Sequence, residues 1–320
     1  MEYMRTEFPS PPFENFTIGP FTIHMYALCI LVGIAAAYLI GASRFKKRGG
    51  NSGDLLDVVL WAVPIGIFGG RLFHVFTHPG DYFGVYPNLP ETLYHVVAVW
   101  EGGLAIYGAL IAGTFGAWFG ARLANVRFVS VLDALAPGII LAQAIGRWGN
   151  WFNQELFGEA TDVPWGLKIP VGNPAIPEGF SPDSLYHPTF FYEFLLNLVA
   201  FAALLLIDKK FELRWGKLFA LYLVFYSSIR FFVEGIRLDP SAVFNGLRTN
   251  QWSAVFGLLI GLAFFYLQSR RHTGTEPSVT LEPRAKAKPK AKEAPKATPK
   301  AKLVPKAKPK AKPSTTSKQK

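Results

Sequence analysis

The chain has 320 residues, of which 50% are hydrophobic and only 17% charged. Soluble proteins carry about 25% charged residues, so this composition excludes an ordinary soluble domain and points to a membrane protein. The formal charge of +11 lies wholly in the tail: from residue 276 onward 14 Lys or Arg face 3 acidic residues, and the first 275 residues, with 19 basic and 19 acidic groups, are neutral. The body of the chain therefore offers no net basic surface to a nucleic acid.

Residues 1–20 are rich in proline and acidic groups and lack a basic start before the first apolar run, which argues against a cleaved signal peptide. Apolar runs near the length of roughly 20 residues that spans a bilayer follow at 22–42, 55–76, 96–119, 129–147, 189–207, 217–236 and 251–268. The expected fold is therefore all-α: a polytopic membrane protein with about seven transmembrane helices. Gly and Ala dilute the third and fourth runs, as suits closely packed membrane helices. The single cysteine, Cys29, sits in the first run and has no partner for an intrachain disulfide.

Arg44, Lys46, Lys47 and Arg48 follow the first run, Arg122 and Arg127 flank the third and fourth, and Lys209, Lys210, Arg214 and Lys217 lie between the fifth and sixth. The loop 77–93 has no Lys or Arg, and 148–188 has only Lys168. Positive-inside bias then places the N-terminus outside and the C-terminus inside. The segment 148–188 is too polar and too rich in Pro and Gly to span, and is expected as a small extracytoplasmic subdomain. Residues 1–271 would form the membrane domain. Residues 272–320, with their Ala-Lys-Pro-Lys repeats, would form a disordered cytoplasmic tail near anionic lipid. Without interleaved aromatic residues that tail is not expected to bind nucleic acid.

Polar residues concentrate from Gly146 to Gly158, where the fourth run meets the outer surface. Polar groups at such a place are costly unless paired or functional. If the helix continues past Arg147, then Arg147, Asn150 and Gln154 share one face. A guanidinium beside carboxamides suits a phosphate diester; the alternative is an interfacial arginine reaching for water. In the sixth run Arg230, Glu234 and Arg237 share a face, leaving one cation in surplus for an anionic headgroup, or else forming a structural ion-pair ladder. Tyr107, after Gly102-Gly103, and Tyr26, in the first run, are either packed aromatics or hydrogen-bond donors to a ligand. His187-Pro188 and Tyr192-Glu193 mark the return into the membrane.

No HExxH, P-loop, GxSxG or CxxC pattern occurs, so a zinc protease, nucleotide hydrolase, serine hydrolase or redox enzyme lacks support and no metal is implied. A transporter or channel lined by Arg147, Arg230 and Glu234 is the rival class, but no internal repeat supports it.

Together these pieces resemble the prolipoprotein diacylglyceryl transferase family of bacteria. Residues 146–158 fit its signature Gly-Arg-x-Gly-Asn-Phe-x-Asn-x-Glu-x-x-Gly, with Trp151 replacing the phenylalanine. Gly69-Gly70-Arg71, the stretch from Trp100 to Gly108, His187-Pro188 with Tyr192-Glu193, and Arg230 to Arg237 extend the likeness to about residue 270. The resemblance implies transfer of the diacylglyceryl group of phosphatidylglycerol to the lipobox cysteine in a prolipoprotein signal peptide, in the bacterial cytoplasmic membrane and without a cofactor. Arg147 and Arg230 would stabilise the leaving phosphate, with Glu155 and Tyr107 also catalytic. Tyr26, Asn150, Gly158, His187, Glu234 and Arg237 would join Arg147 in binding substrate. Many members carry a histidine where this chain has Tyr107, and a phenol of ordinary pKa near 10 is a poor base for a thiol.

Overall fold

In the computed structural model, which describes residues 7–19, 21–174, 176 and 184–281 (for Phe21 the backbone alone), each apolar run is a long helix. A hairpin of β1 (Asn15–Ile18) and β2 (Phe21–His24) leads into α1 (Met25–Lys47) and α2 (Ser52–Thr77). A short α3 (Leu89–Val97) precedes α4 (Ile106–Leu123) and α5 (Phe128–Phe152). Then come α6 (Thr189–Phe211), α7 (Lys217–Glu234) and α8 (Thr249–Arg271). By length and composition five of these helices, α1, α2, α5, α6 and α8, can cross a membrane. The chain is thus an all-α, polytopic membrane protein.

Small residues let the helices approach. Gly33 of α1 stands against Ala142 of α5, and Gly138 against Ala37; an added Cβ would come within 3.1 and 2.7 Å of the facing carbonyls. Between α2 and α4, Gly66 faces Gly113 and Gly69 faces Ala112. Such contacts supply the van der Waals packing that replaces the hydrophobic effect inside a bilayer.

The helix ends follow local chemistry. Asn51 caps α2 by accepting from Gly53 N–H at 3.0 Å, and Asn88 caps α3 by accepting from Glu91 N–H at 2.9 Å. The last turns of α1, α6 and α8 carry Arg44, Lys46 and Lys47; Lys209 and Lys210; and Arg270 and Arg271, complementing the carbonyl ends of the helix dipoles.

Three boundaries differ from the sequence reading. The third run, expected as one helix from residue 96, is interrupted: α3 ends at Val97 and α4 begins only at Ile106, because Gly102 (φ 89) and Gly103 (φ 63) hold the chain in a conformation no helix contains. Arg71 of α2 braces that break, donating to His95 O and to Val96 O at 3.1 Å in the last turn of α3 and to Gly102 O at 2.6 Å beyond it. The fourth run continues five residues past its expected end at 147, so the first half of the polar stretch is helical.

The third difference lies after α8. Residues 272–281, expected as the start of a disordered tail, form an ordered strap. Arg127 N–H donates to Val279 O at 2.8 Å and Leu281 N–H to Asn125 O at 3.0 Å, while Glu276 accepts from Ser130 Oγ at 2.5 Å and Trp215 N–H at 2.8 Å. Trp215 stacks on His272 with ring centroids 4.1 Å apart. Composition hid this anchor, because ten residues with specific partners were read with the repeats that follow. Residues 282–320 lie outside the described residues.

At the opposite end of the bundle, β3 (Ala160–Thr161), β4 (Leu167–Lys168) and β5 (Leu185–Tyr186) form a small antiparallel sheet in the order β3-β5-β4. Its apolar cluster joins Phe157, Leu167, Ile169, Tyr186 and Phe190, with Phe8, Trp148 and Trp151 packed against it. The N-terminal segment is woven in: Phe8 N–H donates to Gly166 O at 2.9 Å and Trp151 Nε1 to Pro9 O at 3.0 Å. A last hairpin, β6 (Val243–Phe244) and β7 (Leu247–Arg248), joins α7 to α8.

Candidate active site

Because α5 runs on to Phe152, Arg147 and Asn150 stand one turn apart on one face, and Arg147 Nη1 donates to Asn150 Oδ1 at 3.1 Å. Buried Asn150 passes the interaction on, its Nδ2 donating to Glu155 Oε1 at 2.8 Å while Glu155 N–H returns to Asn150 O at 3.1 Å. Asn153 Nδ2 reaches the same carboxylate oxygen at 3.4 Å. Gln154 does not share this face as expected: the helix has ended, φ is 51, and its amide donates to Pro11 O at 3.2 Å. Tyr26, in the first turn of α1, lies against Gly149, where a Cβ would stand 2.6 Å from its ring.

Two buried carboxylates organise the arginines. Glu193 of α6 stands between two of them, with Oε1 3.4 Å from Arg147 Nε and Oε2 3.6 Å from Arg230 Nη1. Both separations exceed the roughly 2.7–2.9 Å of a tight charged hydrogen bond. Glu234, fully buried at the end of α7, gathers Arg230 Nη2 at 2.6 Å, Arg237 Nη1 at 3.2 Å, Arg248 Nε at 3.2 Å and Asn250 Nδ2 at 3.0 Å. So many donors offset the desolvation of a carboxylate that would otherwise be very costly to bury. Asp239 completes the group, accepting from Arg237 Nε at 2.7 Å and lying 3.5 Å from Arg248 Nη2.

Four arginines thus meet three ion-paired carboxylates and, through Asn150, a fourth in Glu155, so the group is close to balanced in charge. The arginines are not equivalent. Arg237 is 5% exposed and held through two of its nitrogens, and Arg248 is engaged through all three. Arg147 and Arg230 keep about a fifth of their side-chain surface open and flank one carboxylate loosely. Those two have guanidinium capacity left for a ligand.

Gly158 and His187 take part through their backbones. Gly158 N–H donates to His187 O at 2.9 Å, Glu159 N–H to Ile236 O at 2.9 Å and Leu238 N–H to Phe157 O at 3.2 Å, so the end of the polar stretch is sewn to the chain around Arg237. A Cβ at Gly158 would lie 2.7 Å from Ile236 O and 2.8 Å from His187 Cβ. The His187 ring bonds Tyr192 Oη at 3.1 Å rather than an arginine. Tyr107, in the first turn of α4, is exposed and bonds Ser253 Oγ of α8 at 2.9 Å. Ser253 stands one turn beyond Asn250, so Tyr107 borders the ion-paired group without touching it.

Sequence reasoning named Glu193 without giving it a role and missed three other members of the group. Glu193 carried a usable signal, an acidic residue inside an apolar run. Arg248, Asp239 and Asn250 lie in or beside the last hairpin, and only the packing of α7 against α8 brings them in. Among the described residues no group of His, Cys, Asp and Glu could hold a metal ion.

A family model described as prolipoprotein diacylglyceryl transferase matches residues 14–267. A phosphatidylglycerol–prolipoprotein diacylglyceryl transferase of Leifsonia xyli subsp. xyli is 45% identical over 278 residues, covering 85% of this chain and 82% of its own. A protein of Streptomyces coelicolor with the same description, numbered 2, is 46% identical over 268 residues, covering 84% and 83%. One of Bifidobacterium longum is 44% identical over 268 residues, covering 80% and 84%.

Proposed function

The chain belongs to the prolipoprotein diacylglyceryl transferase family, and from that premise we propose that Arg147 and Arg230 hold the phosphate of its lipid substrate. The enzyme transfers the diacylglyceryl group of phosphatidylglycerol to prolipoprotein, forming a thioether with the lipobox cysteine and releasing glycerol 1-phosphate. Membership removes the transporter alternative.

The observation that carries the site assignment is the loose flanking of Glu193 by two partly exposed arginines on different helices. A phosphate diester placed between them would receive donors from both sides, and its charge would be offset where water is scarce. In the reaction the cysteine sulfur attacks the glyceryl carbon that bears the phosphate oxygen. The S–C bond forms, the C–O bond breaks, and the electron pair leaves with the phosphate. Negative charge therefore grows on the leaving oxygen, and preorganised cations there lower the barrier. The same cations favour the thiolate over the thiol, and thiolate is the reactive form.

The remaining residues set this geometry. Asn150 and Glu155 fix Arg147; Glu234 fixes Arg230 and Arg237; Tyr26, at the α1–α5 seam beside Asn150, borders the headgroup. Gly158 and His187 hold the outer chain against Arg237. Tyr107 ties α4 to α8, a positioning role rather than that of a base.

All seven long helices cross the membrane in this reading, with the N-terminus outside and the Lys-rich C-terminal segment in the cytoplasm. The basic last turns of α1, α6 and α8, gathered at the strap end of the bundle, support that orientation. The arginine group then faces the outer leaflet, with residues 153–188 as an extracytoplasmic subdomain.

The test is transfer from labelled phosphatidylglycerol to a lipobox peptide by Arg147→Ala and Arg230→Ala. Each is expected to lose at least about a hundredfold in turnover, the scale for removing one preorganised donor. Near wild-type turnover in either variant would remove its phosphate role.

A further inference from the structure

A second concentration of charge lies at the other end of the bundle, about 20 Å along α7 from Arg230 at 1.5 Å per residue. Around the α6–α7 turn, Arg44, Arg48, Lys209, Lys210, Arg214 and Lys217 gather near the carboxylates of Asp133, Asp208 and Glu212. Asp208 is shared by three arginines, with Arg44 Nη2 at 2.9 Å, Arg48 Nη2 at 3.2 Å and Arg214 Nη1 at 3.5 Å. Asp133 is taken up by Gly216 N–H at 2.8 Å and Phe219 N–H at 3.0 Å, with Arg48 Nη1 at 3.6 Å. Lys217 Nζ donates to His272 O at 2.8 Å, a neutral partner, and neither Lys209 nor Lys210 pairs with a carboxylate among the described residues.

The three lysines and the ion-paired Arg214 converge on a cavity of about 380 Å³, where Glu212 is the one carboxylate among the lining residues, and Gly274 and Thr275 of the strap form a further wall. The dipole of α6 accounts for lysines on its last turn. It does not account for their meeting Arg214 and Lys217 around one hollow. That convergence comes from Glu212, whose left-handed conformation (φ 46) ends α6 and turns the chain back. Phe211, which also lines the hollow, and Leu206, five residues earlier, are both exposed apolar side chains of α6.

The geometry points to a binding site for the phosphate-bearing headgroup of an anionic phospholipid, in the leaflet opposite the one that faces the arginine group. Lysines around a hollow at the end of α6 suit such a headgroup as point charges, and exposed apolar side chains of α6, Leu206 and Phe211 among them, offer a surface for acyl chains. Because Gly274 and Thr275 close the hollow, the bound lipid would also brace the strap. The site does not depend on Arg147 or Arg230.

The experiment uses the full chain purified from phosphatidylcholine vesicles doped with phosphatidic acid, which lacks the glycerol headgroup of the transfer substrate. Native mass spectrometry then counts the phosphatidic acid retained. The variant Lys209→Ala/Lys210→Ala, altered only at exposed side chains, is expected to lose a retained lipid that wild type keeps, with transfer activity unchanged. Lys46→Ala/Lys47→Ala, equally basic and exposed at the same end, is expected to keep it. Equal retention by wild type and the Lys209/Lys210 variant would overturn the site. So would equal loss in the Lys46/Lys47 variant, because binding would then follow diffuse charge. Displacement of the lipid by inorganic phosphate would assign the hollow to soluble phosphate esters and overturn the lipid assignment.

Discussion

Arg248, at the start of α8, sets its Nε 3.2 Å from Oε1 of the fully buried Glu234 at the end of α7. Its other nitrogens bond Arg237 O and Asp239 O, so one side chain closes the α7–α8 hairpin. Breaking a buried pair from one side costs about 3–5 kcal/mol, and here Arg230, Arg237 and Asn250 still compensate Glu234. Arg248→Ala is therefore expected at the low end, about 3 kcal/mol, seen as a lower thermal midpoint in detergent. Arg248→Lys should recover little of it, because an ammonium cannot span those acceptors. An unchanged midpoint for Arg248→Ala would mean that the ion pair adds nothing to stability.

Gly158→Ala tests the backbone junction beside Arg237. Its Cβ would meet Ile236 O at 2.7 Å and His187 Cβ at 2.8 Å, and no flexible side-chain tip is available to yield. Overpacking of this kind costs about 1–3 kcal/mol. The expected result is a lower midpoint together with reduced turnover, because displacement of residues 236–238 also shifts Arg237. Full activity with an unchanged midpoint would show that the junction tolerates a methyl group.

For Tyr107 the discriminating change is Tyr107→Phe, which keeps the ring and deletes the hydroxyl bonded to Ser253 at 2.9 Å. Loss of one exposed hydrogen bond is worth about 1 kcal/mol, so most of the transfer activity should survive. A collapse in turnover with a normal melting curve would instead place that hydroxyl in the chemistry.

The helices were legible in the sequence because hydrocarbon demands long apolar runs with charge at their ends, and each run carried both marks. The start of α4 was hidden because Gly102 and Gly103 sit inside an apolar stretch, and hydropathy does not register a positive φ. The polar stretch 146–158 announced Arg147, Asn150 and Glu155 by the cost of placing them there. The sequence could not show the sorting among the arginines. Arg237 and Arg248 are locked while Arg147 and Arg230 stay partly exposed, and that depends on Glu193, Asp239 and Asn250 arriving from other segments.

The strap offers a prediction that needs no assay of chemistry. A chain ending after Leu281 keeps Glu276, Val279 and the stack of His272 on Trp215, whereas one ending after Arg271 loses them all. The shorter chain is expected to melt lower, by several bonds of about 1 kcal/mol each, and the longer one to match the full chain. Equal midpoints for the two truncated chains would show the strap to be passive.

The partners of the strap also fix an order of events during synthesis. Asn125, Arg127, Ser130 and Trp215 all leave the ribosome well before Glu276, Val279 and Leu281, which hold them. Until those late residues emerge, the α4–α5 and α6–α7 turns lack their shared clasp, and neighbouring hairpins can still adjust their alignment. The stretch 272–281 thus acts as a closing fastener, applied only after every membrane segment has been made.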